Sequence, residues 1–85
     1  MYRIVISNSA EKDLSKLSKP TFKKVEVAID GLANEPRPQG VKKLKGLSED
    51  IYRIRVGDYR IIYSIEDKIR IIDIRRVRHR KDAYE

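Results

Sequence analysis

The first third of the chain changes from strand-like to helix-like spacing of its apolar residues. Residues 2–7 alternate and are rich in β-branched side chains, which predicts a first strand. The next apolar positions, at intervals of four and three, predict a short helix and are Ala10, Leu14 and Leu17. A second helix is predicted by one apolar stripe at intervals of three, four and three, made of Phe22, Val25, Ile29 and Leu32. The two segments together predict a helical hairpin with one buried side.

Polar and conformationally restricted residues indicate where these helices begin and end. We expect Asn8 or Ser9 to cap the first helix, because their side chains can accept a hydrogen bond from a free N–H of the first turn. Pro20 is suited to the first turn of the second helix, where its missing N–H is not needed. That helix is expected to end near Asn34, since the following segment contains two prolines and a glycine.

From Ile51 onward the apolar period is two. Three strands are predicted, at residues 51–56, 59–65 and 69–75. Gly57-Asp58 predicts a tight turn between the first two, residues 66–68 predict a second turn, and residues 41–50 show no clear period. The expected fold is therefore α+β, one domain over residues 1–85 of order β-α-α-β-β-β. Its helical hairpin packs on one face of a mostly antiparallel four-stranded sheet.

One face of the predicted sheet collects arginine. Tyr52 and Ile54 alternate with Arg53 and Arg55, and Arg60 occupies the equivalent polar position on the next strand. Because the apolar set must pack against the helices, Arg53, Arg55 and Arg60 are expected together on the uncovered face. A single arginine on this face is ordinarily explained as a charged side chain that contacts solvent. A cluster of like charge is better explained by an anionic partner.

The net charge of the chain also favours an anionic partner. The 85 residues contain 20 Lys and Arg against 13 Asp and Glu, a formal net charge of +7. Residues 1–40 hold seven basic and five acidic residues, whereas residues 41–85 hold thirteen and eight. Eight of the ten arginines lie at or after Arg53. The planar guanidinium can bind two phosphate oxygens at once, although charge alone does not choose among nucleic acid, an anionic membrane and an acidic protein.

Composition excludes several classes of function. The chain has no cysteine, which excludes disulfide scaffolds, thiolate zinc sites and cysteine nucleophiles. No apolar run approaches the ~20 residues of a membrane span, and we expect neither a signal peptide nor a membrane partner. No phosphate-binding loop, dinucleotide glycine pattern, paired-carboxylate motif or metal-ligand cluster is present, so neither cofactor nor metal is expected. A cytoplasmic location is the expectation.

The basic tail at residues 75–81 follows the last predicted strand and contains the only histidine, His79. An imidazole is the side chain best suited to acid–base work near neutral pH. The alternative is that His79 is a surface residue between two arginines. Tyr84 has two explanations as well: an aromatic ring that stacks on an RNA base, or an anchor of the C-terminus on the sheet.

Three stretches of the second half carry a family resemblance: KKLKGL at 42–47, YRIRVGDYRIIY at 52–63 and VRHRKDAY at 77–84. This succession resembles the RelE family of toxins, in the RelE/ParE toxin–antitoxin superfamily. The order and length of the predicted elements resemble that family over the whole chain.

The resemblance implies an endoribonuclease that works on the ribosome without metal and cleaves mRNA in the A site. The ribose 2′-hydroxyl attacks the adjacent phosphate, leaving a cyclic phosphate and a free 5′-hydroxyl. The positions that match the family's functional residues are Arg53, Arg55, Arg60, Arg80 and Tyr84. Arginines stand where some relatives carry lysines, and an arginine is a poor proton donor, which favours His79 as the acid. We also expect RNA contacts from Lys43, Lys45, Arg78 and Lys81.

Two other functions are compatible with this sequence. One is a ParE-type toxin that binds and poisons DNA gyrase without being a nuclease. The other is a non-catalytic module that binds RNA or a protein partner. For the interferase, the expected partners are a cognate antitoxin, acidic and partly disordered until bound, and the 70S ribosome with its mRNA; the toxin alone is expected to be a monomer.

Overall fold

A computed structural model describes residues 1–44 and 50–82. These residues form two α-helices, five strands and a short 3-10 turn. In chain order the elements are β1 Arg3–Ile6, α1 Asn8–Ser15, α2 Lys19–Gly31, β2 Lys42–Leu44, β3 Ile51–Val56, β4 Tyr59–Glu66, β5 Ile71–His79 and the 3-10 turn Arg80–Asp82.

The sheet is mixed and has the spatial order β1-β5-β4-β3-β2. β1 pairs with β5 in parallel, and every other pair is antiparallel. The predicted α+β class, helical hairpin and C-terminal meander are confirmed, but the sheet has five strands where four were expected. The additional strand is β2, which spans only three residues and exists because it pairs with the edge of β3. A segment of that length carries no period of its own.

Serine side chains cap both helices. Ser7 caps α1, with its Oγ accepting from the N–H of Ala10 at 3.1 Å, so the predicted caps Asn8 and Ser9 are wrong by one or two residues. The Ser7 hydroxyl also donates to the carbonyl of Arg75 at 3.0 Å. The two residues are 68 positions apart in the sequence, so the local sequence does not predict this contact. Ser18 caps α2, and the expected place of Pro20 in the first turn is confirmed.

The core lies between the hairpin and one face of the sheet, which we call the helix face. Val25, Ile29 and Leu32 of the predicted α2 stripe are buried, whereas Phe22 is 39% exposed and does not belong to the core. The helix also ends at Gly31, three residues before the expected Asn34. The strands contribute buried residues that alternate along each strand except between Ile74 and Val77: Tyr52, Ile54, Ile61, Tyr63, Ile65, Ile72, Ile74 and Val77.

The last strand begins later and runs further than its sequence predicts. Residues 67–70 form the turn before it, with Arg70 at a φ of 56°, so the strand spans Ile71–His79 and the predicted span 69–75 is wrong at both ends. Most of the basic tail is thus part of the sheet. The pairing of β4 with β5 shifts between Ile62, which faces Arg76, and Tyr63, which faces Ile74. Arg75 is the additional residue of a β-bulge at this point.

No helix within the two described ranges is long and apolar enough to cross a membrane.

Candidate functional site

The sheet surface opposite the helices, here called the open face, carries a row of arginines. Arg55 of β3 is paired in register with Arg60 of β4, and Arg60 is paired with Arg78 of β5. Adjacent strands lie about 4.8 Å apart, so the three residues of this arginine row follow one another across the sheet. The two-residue turn at Gly57, where φ is 59°, sets the register of the first pair.

Three further basic residues take register positions beside the row, although the guanidinium of one of them, Arg76, is hydrogen-bonded to Asp13 of α1. Arg53 is paired with Lys42 on one side and with Ile62 on the other. Ile62 in turn is paired with Arg76. At the far end of the same face, Ile51 and Ser64 are paired and each is only 5% exposed. The basic cluster is therefore confined to the end of the sheet near the Gly57 turn.

The positive side chains of this cluster repel one another. Burial lowers the pKa of the Arg53 guanidinium, and the positive charges of Arg55 and Arg60 lower it further. The Nε of Arg53 is buried and has no hydrogen-bond partner among the residues that the structure describes. Like charges paired directly across strands are destabilising, and a bound anion would relieve that repulsion.

Two of the predicted tail residues lie in the 3-10 turn beyond β5. Arg80 donates its backbone N–H to the carbonyl of Asp58 at 2.7 Å, which fixes the turn against the β3–β4 connection. The Arg80 Nε lies 3.8 Å from a carboxylate oxygen of Asp58, with both side chains about two-thirds exposed, at 64% and 65%. An ion pair this exposed stabilises little and leaves the guanidinium available for a ligand. Lys81, the next residue, is exposed.

His79 does not lie with the arginine row. Its register partner is Tyr59, so its side chain belongs to the helix face, and the two rings meet edge to face with centroids 5.1 Å apart. Its Nδ1 accepts a hydrogen bond from the backbone N–H of Lys81 at 3.1 Å. Alternation along β5 thus separates His79 from Arg78 and from the arginines of the open face.

Lys43 also lies away from the row. It is paired with Tyr52, whose side chain is in the core, and its Nζ contacts Asp50 at 3.1 Å. Its neighbour Lys42 takes the position beside Arg53. The predictions for Lys45 and Tyr84 lie outside the described residues.

The sequence predicted no individual site role for Lys42 or Arg76, whose register positions lie beside the row. Lys42 could be placed only by recognising β2. Arg76 could be placed only by recognising the bulge at Arg75, for which the sequence has no turn or glycine signal. Within residues 1–44 and 50–82 no group of His, Asp and Glu side chains could hold a metal ion.

Comparisons with known proteins show which family the chain belongs to. Residues 4–84 match the model of the ParE toxin of type II toxin-antitoxin systems, parDE. Toxin RelG of Mycobacterium tuberculosis is 34% identical over 98% of this chain and 95% of its own length. Toxin RelE of the same organism is 32% identical over 98% of this chain and 86% of its own length.

A solved structure is similar over nearly the whole fold. The archaeal RelE-RelB complex from Pyrococcus horikoshii contains a chain with a TM-score of 0.84 and 37% identity, over 96% of this chain and 98% of that one. Residues 4–84, which the family model matches, include the helical hairpin and the three strands that carry the arginine row. The chain therefore belongs to the RelE family of toxins of type II toxin–antitoxin systems.

Proposed function

We propose that this protein is a ribosome-dependent mRNA interferase, a metal-independent endoribonuclease that cleaves mRNA in the ribosomal A site and so inhibits translation. The observation that carries the proposal is the arginine row, in which Arg55, Arg60 and Arg78 are paired in register across three strands.

The row suits a phosphodiester that gains negative charge as it reacts. The ribose 2′-oxygen bonds to the adjacent phosphorus while the bond from phosphorus to the 5′-oxygen breaks. The 2′-hydroxyl loses a proton, and the departing 5′-oxygen takes one up. Guanidinium groups held on a rigid sheet can bind the phosphate oxygens bidentately and stabilise the additional charge of the transition state. Three strands fix their positions before the substrate arrives, which avoids reorganisation during the reaction.

Each site residue has a proposed role. Arg60, at the centre of the row, stabilises the reacting phosphate together with Arg53 and Arg55. Arg80, at the end of the sheet, binds a negatively charged group of the RNA, and Tyr84 stacks on a base. RNA contacts are assigned to Lys43, Lys45, Arg78 and Lys81, with Lys42 added on account of its register with Arg53. His79 is the proposed proton donor, reaching the substrate around the end of the sheet from the helix face.

Replacing Arg60 tests the proposal most directly. We expect Arg60→Ala to lower single-turnover cleavage of mRNA on purified ribosomes about 10²–10³-fold, because a preorganised charge at the reacting phosphate is lost. Arg55→Ala should cost less, and the double variant should cost less than the product of the two effects if both residues serve one phosphate. Thermal unfolding of each variant, followed by circular dichroism, verifies that the fold is retained.

Arg3→Ala is the matched control. Arg3 is exposed and pairs with Ile71 at the far end of the sheet, seven residues before Arg78 along β5, or roughly 20 Å. Cleavage by this variant should be unchanged. An Arg60→Ala protein that is folded and cleaves at the wild-type rate would remove Arg60 from the site.

A gyrase supercoiling assay run beside the cleavage assay tests the ParE-type alternative. Gyrase inhibition by the wild type without any mRNA cleavage would replace the proposed function. RNA binding with neither activity would leave the non-catalytic module.

We also propose an acidic antitoxin as the partner that holds the protein inactive. The structure from Pyrococcus horikoshii contains RelE with RelB, and the net charge of +7 here favours an acidic partner that folds as it binds. We propose that the toxin alone is monomeric and acts in the cytoplasm.

A further inference from the structure

The edge of β5 is open where it carries the functional arginines. β1 pairs only with positions 71 to 74 of β5, and the backbone N–H of Ser7 makes the last contact, to the carbonyl of Ile74 at 3.0 Å. Beyond that point the bulge at Arg75 interrupts the regular pairing with β4 as well. Within residues 1–44 and 50–82, no strand thus pairs with the segment from Arg75 to His79 on its outer side.

One carboxylate takes the place of the missing strand. Asp13 of α1 accepts the backbone N–H of Val77 at 2.9 Å, which satisfies an edge donor that β1 does not reach. The same carboxylate accepts from Nε of Arg76 at 2.8 Å and from its terminal nitrogen at 3.2 Å. The Asp13 side chain is only 12% exposed. Charge-assisted hydrogen bonds of this kind, shielded from water, are stronger and more directional than exposed ones.

The bulge determines which face Arg78 occupies. Ile72 and Ile74 point to the helix face, and strict alternation would send positions 76 and 78 to that face as well. The additional residue, Arg75, reverses the alternation, so that Val77 enters the core at 4% exposure and Arg78 pairs with Arg60 on the open face. Whatever holds the strand in its register after the bulge therefore also completes the arginine row.

We propose that Asp13 is a positioning residue for the RNA site, and that its carboxylate clamps the bulged end of β5 so that Arg78 stands in register with Arg60. The inference rests on the proposed function in that RNA is taken as the ligand of the row. Asp13 bonds directly to Val77 and Arg76, and it acts on the row through the course of β5.

The negative charge of Asp13, as well as its hydrogen bonds, stabilises the end of β5. Burial raises the pKa of the Asp13 carboxyl, but the hydrogen bonds from Arg76 and Val77 and the charge of Arg76 outweigh burial, so that the pKa lies below its usual value. The charge of Arg78 acts in the same direction. An ionised Asp13 thus offsets repulsion among the cations of β5.

The test compares Asp13→Ala and Asp13→Asn with Arg78→Ala and with the double variant Asp13→Ala/Arg78→Ala. Two quantities are measured: hydrogen exchange of the Val77 amide, and affinity for a short single-stranded RNA with non-cleavable 2′-O-methyl riboses over a range of salt. Glu11→Gln is the charge-matched control, because Glu11 is exposed on the same helix. Asp13→Asn keeps an acceptor for the Val77 N–H, and it replaces Asp13→Ala in the test if the alanine variant folds poorly.

We expect Val77 amide exchange to be at least about tenfold faster in Asp13→Ala and closer to wild type in Asp13→Asn, since opening the edge exposes the amide. RNA affinity should fall in Asp13→Ala although an acidic residue is removed, whereas Glu11→Gln should bind equally well or more tightly. The slope of log affinity against log salt is negative, and its magnitude should fall by about 0.7, one phosphate contact, in Asp13→Ala and in Arg78→Ala. The double variant should match Arg78→Ala.

Each opposite result has a distinct meaning. Unchanged Val77 exchange in Asp13→Ala overturns the clamp. A wild-type salt slope or tighter RNA binding in folded Asp13→Ala overturns the positioning role, and so does a double variant that loses a further contact. A wild type that binds no RNA overturns the inference. Absence of ribosomal cleavage by the wild type overturns the proposed function alone, provided that the slopes change as expected.

Discussion

Arginines have two distinct environments in this protein. Arg37 donates to both carboxylate oxygens of Asp67, at 3.4 and 3.0 Å, and its Nε contacts the Tyr52 hydroxyl at 3.3 Å. Its guanidinium also lies 5.2 Å from the centre of the Tyr52 ring. Such arginines join parts of the fold. Members of the open-face row instead have other arginines as their register partners, and like charges paired directly across strands are destabilising.

His79 offers a residue-scale test of the proton donor. If His79 protonates the departing 5′-oxygen, His79→Gln should lower single-turnover cleavage at least about tenfold. His79→Asn is the informative comparison, because an asparagine Oδ1 can replace Nδ1 as acceptor for the Lys81 N–H. Both variants lack a proton donor, so both should be slow.

The two substitutions also separate chemistry from positioning. A slow His79→Gln beside a normal His79→Asn would mean that His79 only holds the 3-10 turn and its Arg80. Wild-type rates in both variants would return His79 to the surface-residue explanation and leave Arg80 as the functional group of the tail.

At the scale of elements, the connection between α2 and β2 is held by side chains from the sheet. The Tyr63 side chain is fully buried, its hydroxyl donates to the carbonyl of Pro36 at 2.7 Å, and burial raises its pKa to about 12. The ring also stacks on that of Tyr52, with centroids 5.9 Å apart. This contact places the chain for its return to the edge of β3, where Lys42 meets Arg53.

Removing that hydroxyl should loosen the connection. We expect Tyr63→Phe to lower the free energy of unfolding by about 1–3 kcal/mol, because the Pro36 carbonyl loses its partner in a partly buried position. The measurement is urea unfolding at equilibrium. Tyr2→Phe is the control: the Tyr2 hydroxyl donates to Asp67 at 2.6 Å in an exposed position, and its loss should cost clearly less. Equal losses in the two variants would contradict the burial argument.

At the scale of the whole molecule, two carboxylates join segments that are distant in sequence. Asp13 joins α1 to β5, and Asp67 joins the turn before β5 to Tyr2 and Arg37. Hydrogen bonds from Arg37 and Tyr2 lower the pKa of Asp67, and those from Arg76 and Val77 outweigh burial to lower the pKa of Asp13. Both carboxyls therefore hold a proton less readily in the folded chain than in the unfolded one.

The sign of the resulting pH dependence follows from linkage. The stabilisation is fully present above the unfolded value of about 3.9 and is lost as the pH falls through the lower folded values. We expect the melting temperature to fall as the pH decreases from about 5 to 2, and to fall less steeply in Asp13→Asn and Asp67→Asn, which should melt lower at neutral pH. Circular dichroism melts across that range give the slopes. Slopes identical to wild type in both variants would rule these carboxylates out as the cause.

The sequence by itself determined the features that depend on near neighbours. The α2 stripe, the alternation of β3 and β4 and the Gly57 turn follow from local period and backbone freedom. Because a two-residue turn sets the register of a hairpin, the placement of Arg53, Arg55 and Arg60 on one face could be predicted.

Only the tertiary structure decided the features that depend on distant partners. β2 is a strand because β3 offers an edge, and the parallel pairing of β1 with β5 joins segments that lie almost seventy residues apart along the chain. The bulge at Arg75 moved Arg76 and Arg78 onto the open face and His79 onto the other. Its supports are Ser7 and Asp13, more than sixty residues away. Strand alternation is a local rule, but a bulge is stable only where long-range hydrogen bonds satisfy the backbone that it leaves unpaired.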